Sequence, residues 1–414
     1  MNTINILGIN ISVTNKKEVL DKIEHFLAGD KPNQITTLNP EFLLAAGHDE
    51  EFFFILGEAD LAIPDGIGLK MMAWMMGKNI NRITGADLVK DIINIAQQRK
   101  LKVAIINRKD GISNSEEIKK SVLQKYPRLR IVVEDIEQGD NIISKFIINQ
   151  KPDILFCSLG APWQEKYIYH NLKLLPSVKI GMGVGGSFDF LTGKIKRAPK
   201  IMRTIGMEWL WRLIKQPGRI KRILNAVIIF PLKFIKWKFI LPFLYRPNVV
   251  CLLYKKITSL DNSSSENLKY QILLAKRRDA EDYWQFPQGG TDGQNLTTAG
   301  MRELSEEIGC GNNCASIKPI AIYNNLYKYK FNNQPKEFKE KYIRVKKHLG
   351  YKGQKQGLFI AEYLGSDEQI KINFWDHTDW KWVEAEKVLE TIHPVRQTAA
   401  KIFMEKFWNI MEAK

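Results

Sequence analysis

The chain has 414 residues, of which 44% are hydrophobic and 26% charged; this excludes a disordered chain and a multi-span membrane protein, and the length exceeds one ordinary core of ~100–200 residues. The formal net charge is +17, and from Lys194 to Arg246 fourteen Lys/Arg face one acid, Glu208, so this window alone carries +13. A basic block of that kind needs an anionic partner: lipid headgroups, nucleic acid or phosphates.

At the N-terminus, residues 1–13 have neither a basic n-region nor a long apolar h-region, so no signal peptide is read there and a cytosolic location is expected. The apolar runs 103–106, 131–133, 154–159 and 178–183 read as buried strands, and their near-continuous apolar character predicts a parallel sheet covered on both faces. Residues 86–99 and 115–125 read as helices between them, giving an α/β, Rossmann-like layering. Gly181, Gly183 and Gly186 fit G-x-G-x-x-G, but a Lys/Arg-rich segment follows where a dinucleotide site needs a helix, a strand and an acid, so NAD and FAD are not expected.

From Arg197 the character changes. Residues 207–214 are apolar with Trp209 and Trp211, and the uninterrupted apolar run 223–232 is about ten residues, half of the ~20 needed to span a bilayer. Trp, Phe and Lys interleave so densely that an interfacial segment on an anionic membrane is expected, with a buried helix and charged linker as the alternative. Arg246 and Pro247 mark a boundary, after which strands at 270–274 and 357–363 accompany helices near residue 300 and at the C-terminus. The expected domains are therefore 1–195, a basic aromatic appendage 196–246, and 247–414. Four cysteines (Cys157, Cys251, Cys310, Cys314) are too few and scattered for a disulfide framework, and Cys310 and Cys314 lack the second Cys/His pair of a zinc site.

The most specific chemistry lies near residue 300. On a helix starting near Thr297, Glu303, Glu306 and Glu307 stand at i, i+3 and i+4 and share one face. Three like charges repel unless a cation lies among them, and hard oxygen ligands favour Mg²⁺ or Mn²⁺, which can polarise a pyrophosphate and activate a water. A solvated acidic face is the plain alternative. The Gly-rich loop 289–293, suited to close approach by a phosphate, and Gly309 after the helix favour the site, with Thr297 or Thr298 as the expected cap.

Arg302-Glu303-Leu304-Ser305-Glu306-Glu307-Ile308-Gly309 resembles the second half of the Nudix box. Trp284-Gln285-Phe286-Pro287-Gln288-Gly289-Gly290 is similar to the diadenosine-tetraphosphate hydrolase and RNA pyrophosphohydrolase branch. Gly353-Gln354-Lys355-Gln356, Trp380-Lys381-Trp382-Val383 and His393-Pro394-Val395-Arg396 extend the likeness over nearly all of 247–414. The resemblance implies an α+β Nudix sandwich in three α/β/α layers. It also implies Mg²⁺ or Mn²⁺ on Glu303, Glu306, Glu307 and Asp376, catalysis by Glu306 and Glu307, and support from Arg302, Gly289 and Gly290. One departure is that four residues rather than five follow Gly289, and Gln294 stands where the family has Glu. Activity with a weakened or altered metal site is the expectation.

In the first half, five clusters fall where such a sheet puts its strand-end loops. They are Thr36-Thr37-Leu38-Asn39-Pro40-Glu41, Pro64-Asp65-Gly66-Ile67-Gly68, Arg82-Ile83-Thr84-Gly85-Ala86-Asp87, Gly160-Ala161-Pro162-Trp163-Gln164-Glu165 and Gly183-Val184-Gly185-Gly186-Ser187-Phe188-Asp189-Phe190. With Arg197-Ala198-Pro199, Gly206-Met207-Glu208-Trp209-Leu210 and Gln216-Pro217-Gly218-Arg219, they resemble the WecG/TagA/CpsF glycosyltransferases, family 26, from about residue 4 to 225. The resemblance implies inverting transfer of an N-acetylmannosamine-type sugar from UDP to a polyprenyl-diphosphate-linked amino sugar, on the inner face of the cytoplasmic membrane and without a cofactor. Self-association is a further expectation.

Inversion needs one base, and Asp65 is the candidate over a turn-capping role. Thr37 and Asn39 are candidates for sugar or acceptor, or for simple turn roles. Arg82 is a candidate for the diphosphate, or a surface ion pair. Gln164 is a candidate for the nucleotide, or a solvated helix start, and Gly185 for the substrate loop. This half has no D-x-D, so charge on leaving UDP falls to cationic side chains and backbone N–H groups. Arg212, Arg219 and Arg222 in the appendage are expected to grip the membrane and close over the diphosphate.

The reading is a bifunctional enzyme peripheral to the membrane, adding Mg²⁺-dependent hydrolysis of a nucleoside-diphosphate-linked substrate to sugar transfer. Its rivals make the Nudix half the principal activity, on RNA 5′ ends or dinucleoside polyphosphates, or a degenerate nucleotide-binding module.

Overall fold

The structure is a computed structural model. It describes residues 2–199, 201–202, 206–215, 217–260, 266–278, 282–309, 316–331 and 350–413. Cys310 and Cys314 lie outside them. The chain forms two compact units, Met1–Lys236 and Trp237–Lys414.

The first unit opens with a hairpin of β1 (Thr3–Ile6) and β2 (Ile9–Ser12), then α1 (Lys16–Ala28). A capping box starts α1: Asn15 accepts from the Glu18 amide while Glu18 reaches back to the Asn15 N–H. Strands β3 (Asn33–Leu38) and β4 (Leu61–Pro64) flank α2 (Pro40–Ala46) and α3 (Glu50–Glu58). Then come α4 (Ile67–Met75), α5 (Gly85–Gln98), β5 (Lys102–Arg108), α6 (Ser115–Lys125), β6 (Arg130–Ile136) and α7 (Lys145–Gln150). The unit continues with β7 (Ile154–Cys157), α8 (Trp163–Asn171), β8 (Ile180–Gly183) and α9 (Ser187–Leu191).

Strands β3 to β8 form one parallel sheet in the order β4-β3-β8-β7-β5-β6. Alternation along the strands fills two cores. Val103, Ile105, Ile154 and Phe156 face one with Ile92 and Ile118; Ala104, Ile106, Leu155 and Cys157 face the other with Ile147 and Ile168. The expected doubly covered parallel sheet is present. The run expected to continue to residue 159 ends as strand at Cys157, and the next residue, Ser158, donates its hydroxyl to the Asn107 side chain at 2.8 Å. The sequence reading did not place β3. Its residues are mostly polar, yet all six are buried, with β4 on one side and β8 on the other.

The appendage folds as α10 (Glu208–Lys215), α11 (Ile220–Leu224), a π-helical turn Asn225–Ile229 and α12 (Phe230–Ile235). It has a buried side and an exposed apolar side. Phe230 and Phe234 are fully buried, whereas Leu224, Ile228, Leu232 and Ile235 are exposed. Among the described residues no helix is long and apolar enough to cross a membrane.

The second unit has β9 (Tyr245–Leu260), β10 (Glu266–Arg277), β11 (Trp284–Gln285), β12 (Gln288–Gly290) and α13 (Leu296–Ile308). They are followed by β13 (Ile317–Lys330), β14 (Gly353–Tyr363), β15 (His377–Glu384), α14 (Val388–Thr391) and α15 (Pro394–Glu412). The sheet is mixed: β9 and β14 run parallel and the remaining pairs antiparallel. Helix α13 covers one face and α14 with α15 the other, the expected sandwich. Gly300 lets α13 lie close on the sheet, since a Cβ there would sit 2.4 Å from Phe359. The cap of α13 corrects the sequence reading. Asn295, rather than Thr297 or Thr298, accepts from the Thr298 amide at 2.9 Å, which starts the helix at Leu296. Gly309 ends it with φ of 69°. His393 caps α15, and its ring stacks on Tyr283 with centroids 3.9 Å apart.

Candidate functional site

The C-terminal ends of β3, β4, β5, β7 and β8 open into a cleft of about 1340 Å³, bounded on one side by the appendage. Thr37, Asn39, Asp65, Arg82, Gln164 and Gly185 all line it, so the strand-end clusters read from sequence do converge. Asp65 follows the last residue of β4. Its Oδ2 accepts from the Gly85 amide at 3.1 Å, and its backbone carbonyl accepts from Arg82 Nε at 2.6 Å. Arg82 also pairs with Glu208 of α10 at 3.0 Å, both side chains largely buried. That is an ion pair, as one reading of Arg82 had it, though within the fold rather than on the surface.

Asn39 caps α2 and accepts from the Glu41 and Phe42 amides at 2.9 and 3.2 Å. Gln164 is 2% exposed, so it is not a solvated helix start. Its oxygen accepts from the Gly160 and Gly185 amides, and its nitrogen donates to Glu165. Thr37 is buried beside Gly85, where a Cβ would meet the Thr37 hydroxyl at 3.0 Å.

Of the appendage arginines, Arg222 is tied to Glu41 of α2 through Nε at 3.1 Å and Nη2 at 2.5 Å. The side chains of Arg212 and Arg219 lie outside the described residues. Lys233 Nζ stands 2.9 Å from His48 Nε2. Arg197 holds Asp87 of α5 with two hydrogen bonds, at 2.5 and 2.8 Å. Burial opposes ionisation of Asp87, but Arg197 and the Thr84 hydroxyl prevail and set its pKa at about 2.

Asn107 escaped the sequence reading, and Asp189 and Glu208 were named in its clusters without a role; all three line the cleft. Asp189 takes a 2.8 Å bond from the buried Ser113 hydroxyl, and burial raises its pKa. Asn107 bridges Ser113 and Asp135. Glu208 did carry a signal: a lone acid in a block of fourteen cations is a candidate for pairing.

In the second unit the acidic trio is not a solvated face. Glu303 and Glu307 are 3% and 6% exposed, and only Glu306 faces outward. Arg302 organises them: Nη2 lies 2.8 Å from Glu303 Oε1, and Nη1 donates to Glu306 Oε2 at 2.8 Å. Its Nη2 also donates to the Gly290 carbonyl at 2.5 Å, and its Nε to Gln294 Oε1 at 3.1 Å. Glu307 accepts from the Gln288 amide at 3.1 Å. Gly289 gives Glu303 its room, since a Cβ there would overlap that carboxylate. Asp376 accepts from the Arg278 amide through its backbone carbonyl. Among the described residues no three His, Cys, Asp or Glu side chains converge as a ready metal cage.

Residues 4–242 match the family model of the glycosyl transferase WecG/TagA/CpsF family, more than half of the chain. The chain belongs to this family. It is 32% identical over 224 residues to the N-acetylglucosaminyldiphosphoundecaprenol N-acetyl-beta-D-mannosaminyltransferase of Bacillus subtilis (strain 168), covering 53% of this chain and 86% of that protein. The protein of the same name from Staphylococcus aureus (strain MRSA252) is 29% identical over 240 residues, covering 57% and 93%. This WecG/TagA/CpsF family member also carries a NUDIX domain, matched over residues 263–405. A C. elegans Ap4A hydrolase structure aligns with 40% of this chain and 98% of its own at 16% identity and a TM-score of 0.27. The E. coli dihydroneopterin triphosphate pyrophosphohydrolase aligns with 39% and 99% at 17% identity and the same TM-score.

Proposed function

We propose that the first unit transfers N-acetylmannosamine, or its uronic acid form, from UDP to a polyprenyl-diphosphate-linked amino sugar at the inner face of the cytoplasmic membrane, with inversion. The observation that carries this is the Asp65 carboxylate, set by the Gly85 amide and lining a cleft large enough for donor and acceptor head group together. Asp65 takes the proton of the acceptor hydroxyl as its oxygen bonds to the anomeric carbon. The bond from that carbon to the UDP oxygen breaks, and UDP leaves with the electron pair. Backbone N–H groups of the strand-end loops offset the charge that develops, while Arg82, paired with Glu208, holds the loop that carries Asp65. The named substrates of the Bacillus subtilis and Staphylococcus aureus relatives support this choice of donor and acceptor. The outward apolar residues of 220–235 among lysines and arginines support docking to an anionic membrane.

The second unit hydrolyses a nucleoside-diphosphate-linked substrate. Its donor chemistry fits a hard divalent cation: carboxylate oxygens of Glu303, Glu306 and Glu307, with Asp376, would hold Mg²⁺ or Mn²⁺. When bound, such an ion polarises a pyrophosphate and lowers the pKa of water. Arg302 and the Gln288 amide keep the carboxylates in place. A second reading, nucleotide binding without turnover, is favoured by Gln294, which stands where the resemblance expects Glu and accepts from Arg302.

Incubating the full chain with UDP-N-acetylmannosamine or its uronic acid form and a polyprenyl-diphosphate N-acetylglucosamine acceptor tests the first activity. Elongated lipid is expected; no product with either donor overturns it. For the second, Mg²⁺-dependent release is expected from at least one of 5′-triphosphorylated RNA, a dinucleoside polyphosphate or a UDP-sugar. Tight binding of these without release would establish the second reading instead.

A further inference from the structure

The first turn of helix α8 holds two consecutive polar residues that are both inside the protein: Gln164 is 2% exposed and Glu165 0%. An acid buried in a first helical turn must be neutral, paired or bound to something. The room for it is made on β8. A Cβ on Gly183 would lie 2.3 Å from Glu165 Oε1 and 2.5 Å from Gln164 Nε2. Glu165 Oε1 accepts from Gln164 Nε2 at 2.7 Å, while its Oε2 is buried with no hydrogen-bond partner among the described residues.

The other end of the Gln164 amide joins two loops. Its oxygen accepts from the Gly160 amide, after β7, at 3.2 Å and from the Gly185 amide, after β8, at 3.0 Å. Both glycines line the cleft and both have positive φ, 79° and 49°. A side-chain amide can be turned either way round. Here an acceptor behind its nitrogen holds the oxygen toward the two backbone donors.

We propose that Glu165 is a positioning residue of the transfer site, a buried neutral carboxylic acid that orients Gln164 and so fixes the two glycine loops that seat the nucleotide donor. This rests on the transferase reading above. Burial pushes the Glu165 pKa up to about 8, against the Gln164 hydrogen bond, which agrees with a neutral group at physiological pH. Few charges face it. On β7 the Cys157 thiol is itself kept protonated by burial; β3 presents the Gln34 amide to the Glu165 backbone carbonyl; the next residue of α8, Lys166, pairs away with Asp49 and Glu51. Ionisation above pH 8 therefore puts an unpaired negative charge beneath loops that hold an anionic diphosphate, and donor binding weakens.

The test uses the full chain and follows UDP binding by calorimetry, together with donor KM and kcat, from pH 6 to 9. Wild type is expected to lose UDP affinity and gain donor KM above pH 8, with kcat moving less. Glu165→Gln keeps the hydrogen bond to Gln164 but cannot ionise. It is expected to stay within about twofold of wild type at pH 7 and to flatten the alkaline rise. Glu165→Ala is expected to raise donor KM about tenfold, the effect of one unsatisfied buried polar group. If Glu165→Ala does not fold, Glu165→Gln still decides. An alkaline profile in Glu165→Gln identical to wild type, or wild-type donor KM in folded Glu165→Ala, overturns the proposal. Wild type that neither binds UDP nor transfers sugar would instead overturn the reading on which it stands.

Discussion

Each unit of this chain sets an arginine beside its candidate acid, and the two arrangements differ. Arg82 holds the backbone carbonyl behind Asp65 and spends its charge on Glu208. Arg302 grips the carboxylates themselves, Glu303 and Glu306 together. Carboxylates crowded on one helix face need a cation among them, and a guanidinium meets that need from within the chain. The first guanidinium thus ties a strand-end loop to α10, whereas the second binds together two acids of one helix.

The strongest challenge to this comparison is Asp65→Asn. Sugar transfer should fall by about 10²–10⁴-fold, the usual contribution of a general base, while UDP binding by calorimetry stays near wild type. Full transfer by this variant would remove Asp65 as the base. Next is Arg302→Ala, which leaves Glu303 buried without its guanidinium. A loss of about 3 kcal/mol is expected, read as a fall of the second unit's thermal midpoint, with sugar transfer unaffected. An unchanged midpoint would mean that Arg302 does not organise the trio.

The smallest effect belongs to Asp87 and Arg197. The folded-state pKa of Asp87, about 2, lies below its ordinary 3.8, so its stabilisation is present above pH 4 and lost as pH falls toward 2. The Asp87 side chain is 41% exposed, and after allowance for solvent screening about 1 kcal/mol is expected at neutral pH. Asp87→Asn should lower neutral-pH stability by that amount and flatten the acid limb between pH 4 and 2 in denaturant titrations. A parallel acid limb would show that the pair adds nothing.

The sequence made the layer order legible because both faces of a parallel sheet are apolar, and it made the strand-end loops legible through their Gly, Asp and Thr clusters. It did not reveal β3, whose burial comes from its place between β4 and β8 rather than from apolar side chains. Spacing put Glu303, Glu306 and Glu307 on one face, and the resemblance named Arg302 as their support, but its bonds to Gly290 and Gln294 appear only when that loop is folded against the helix. Gln164 shows the same limit. Its cluster marked the cleft, while its own hydrogen bonds go to two loops distant in sequence and to the neighbouring Glu165.

The paired phenylalanines of α12 bear on how this protein can be cut. Phe230 and Phe234 are wholly covered, and Phe230 lies against Gly68 in the first unit. Each such ring withholds ~1.5–3 kcal/mol of apolar surface from water. A fragment ending near residue 195 strips away both rings and uncovers the greasy seat they occupy, so it should clump in solution. A fragment ending after Lys236 retains them, which makes that point the sounder place to truncate.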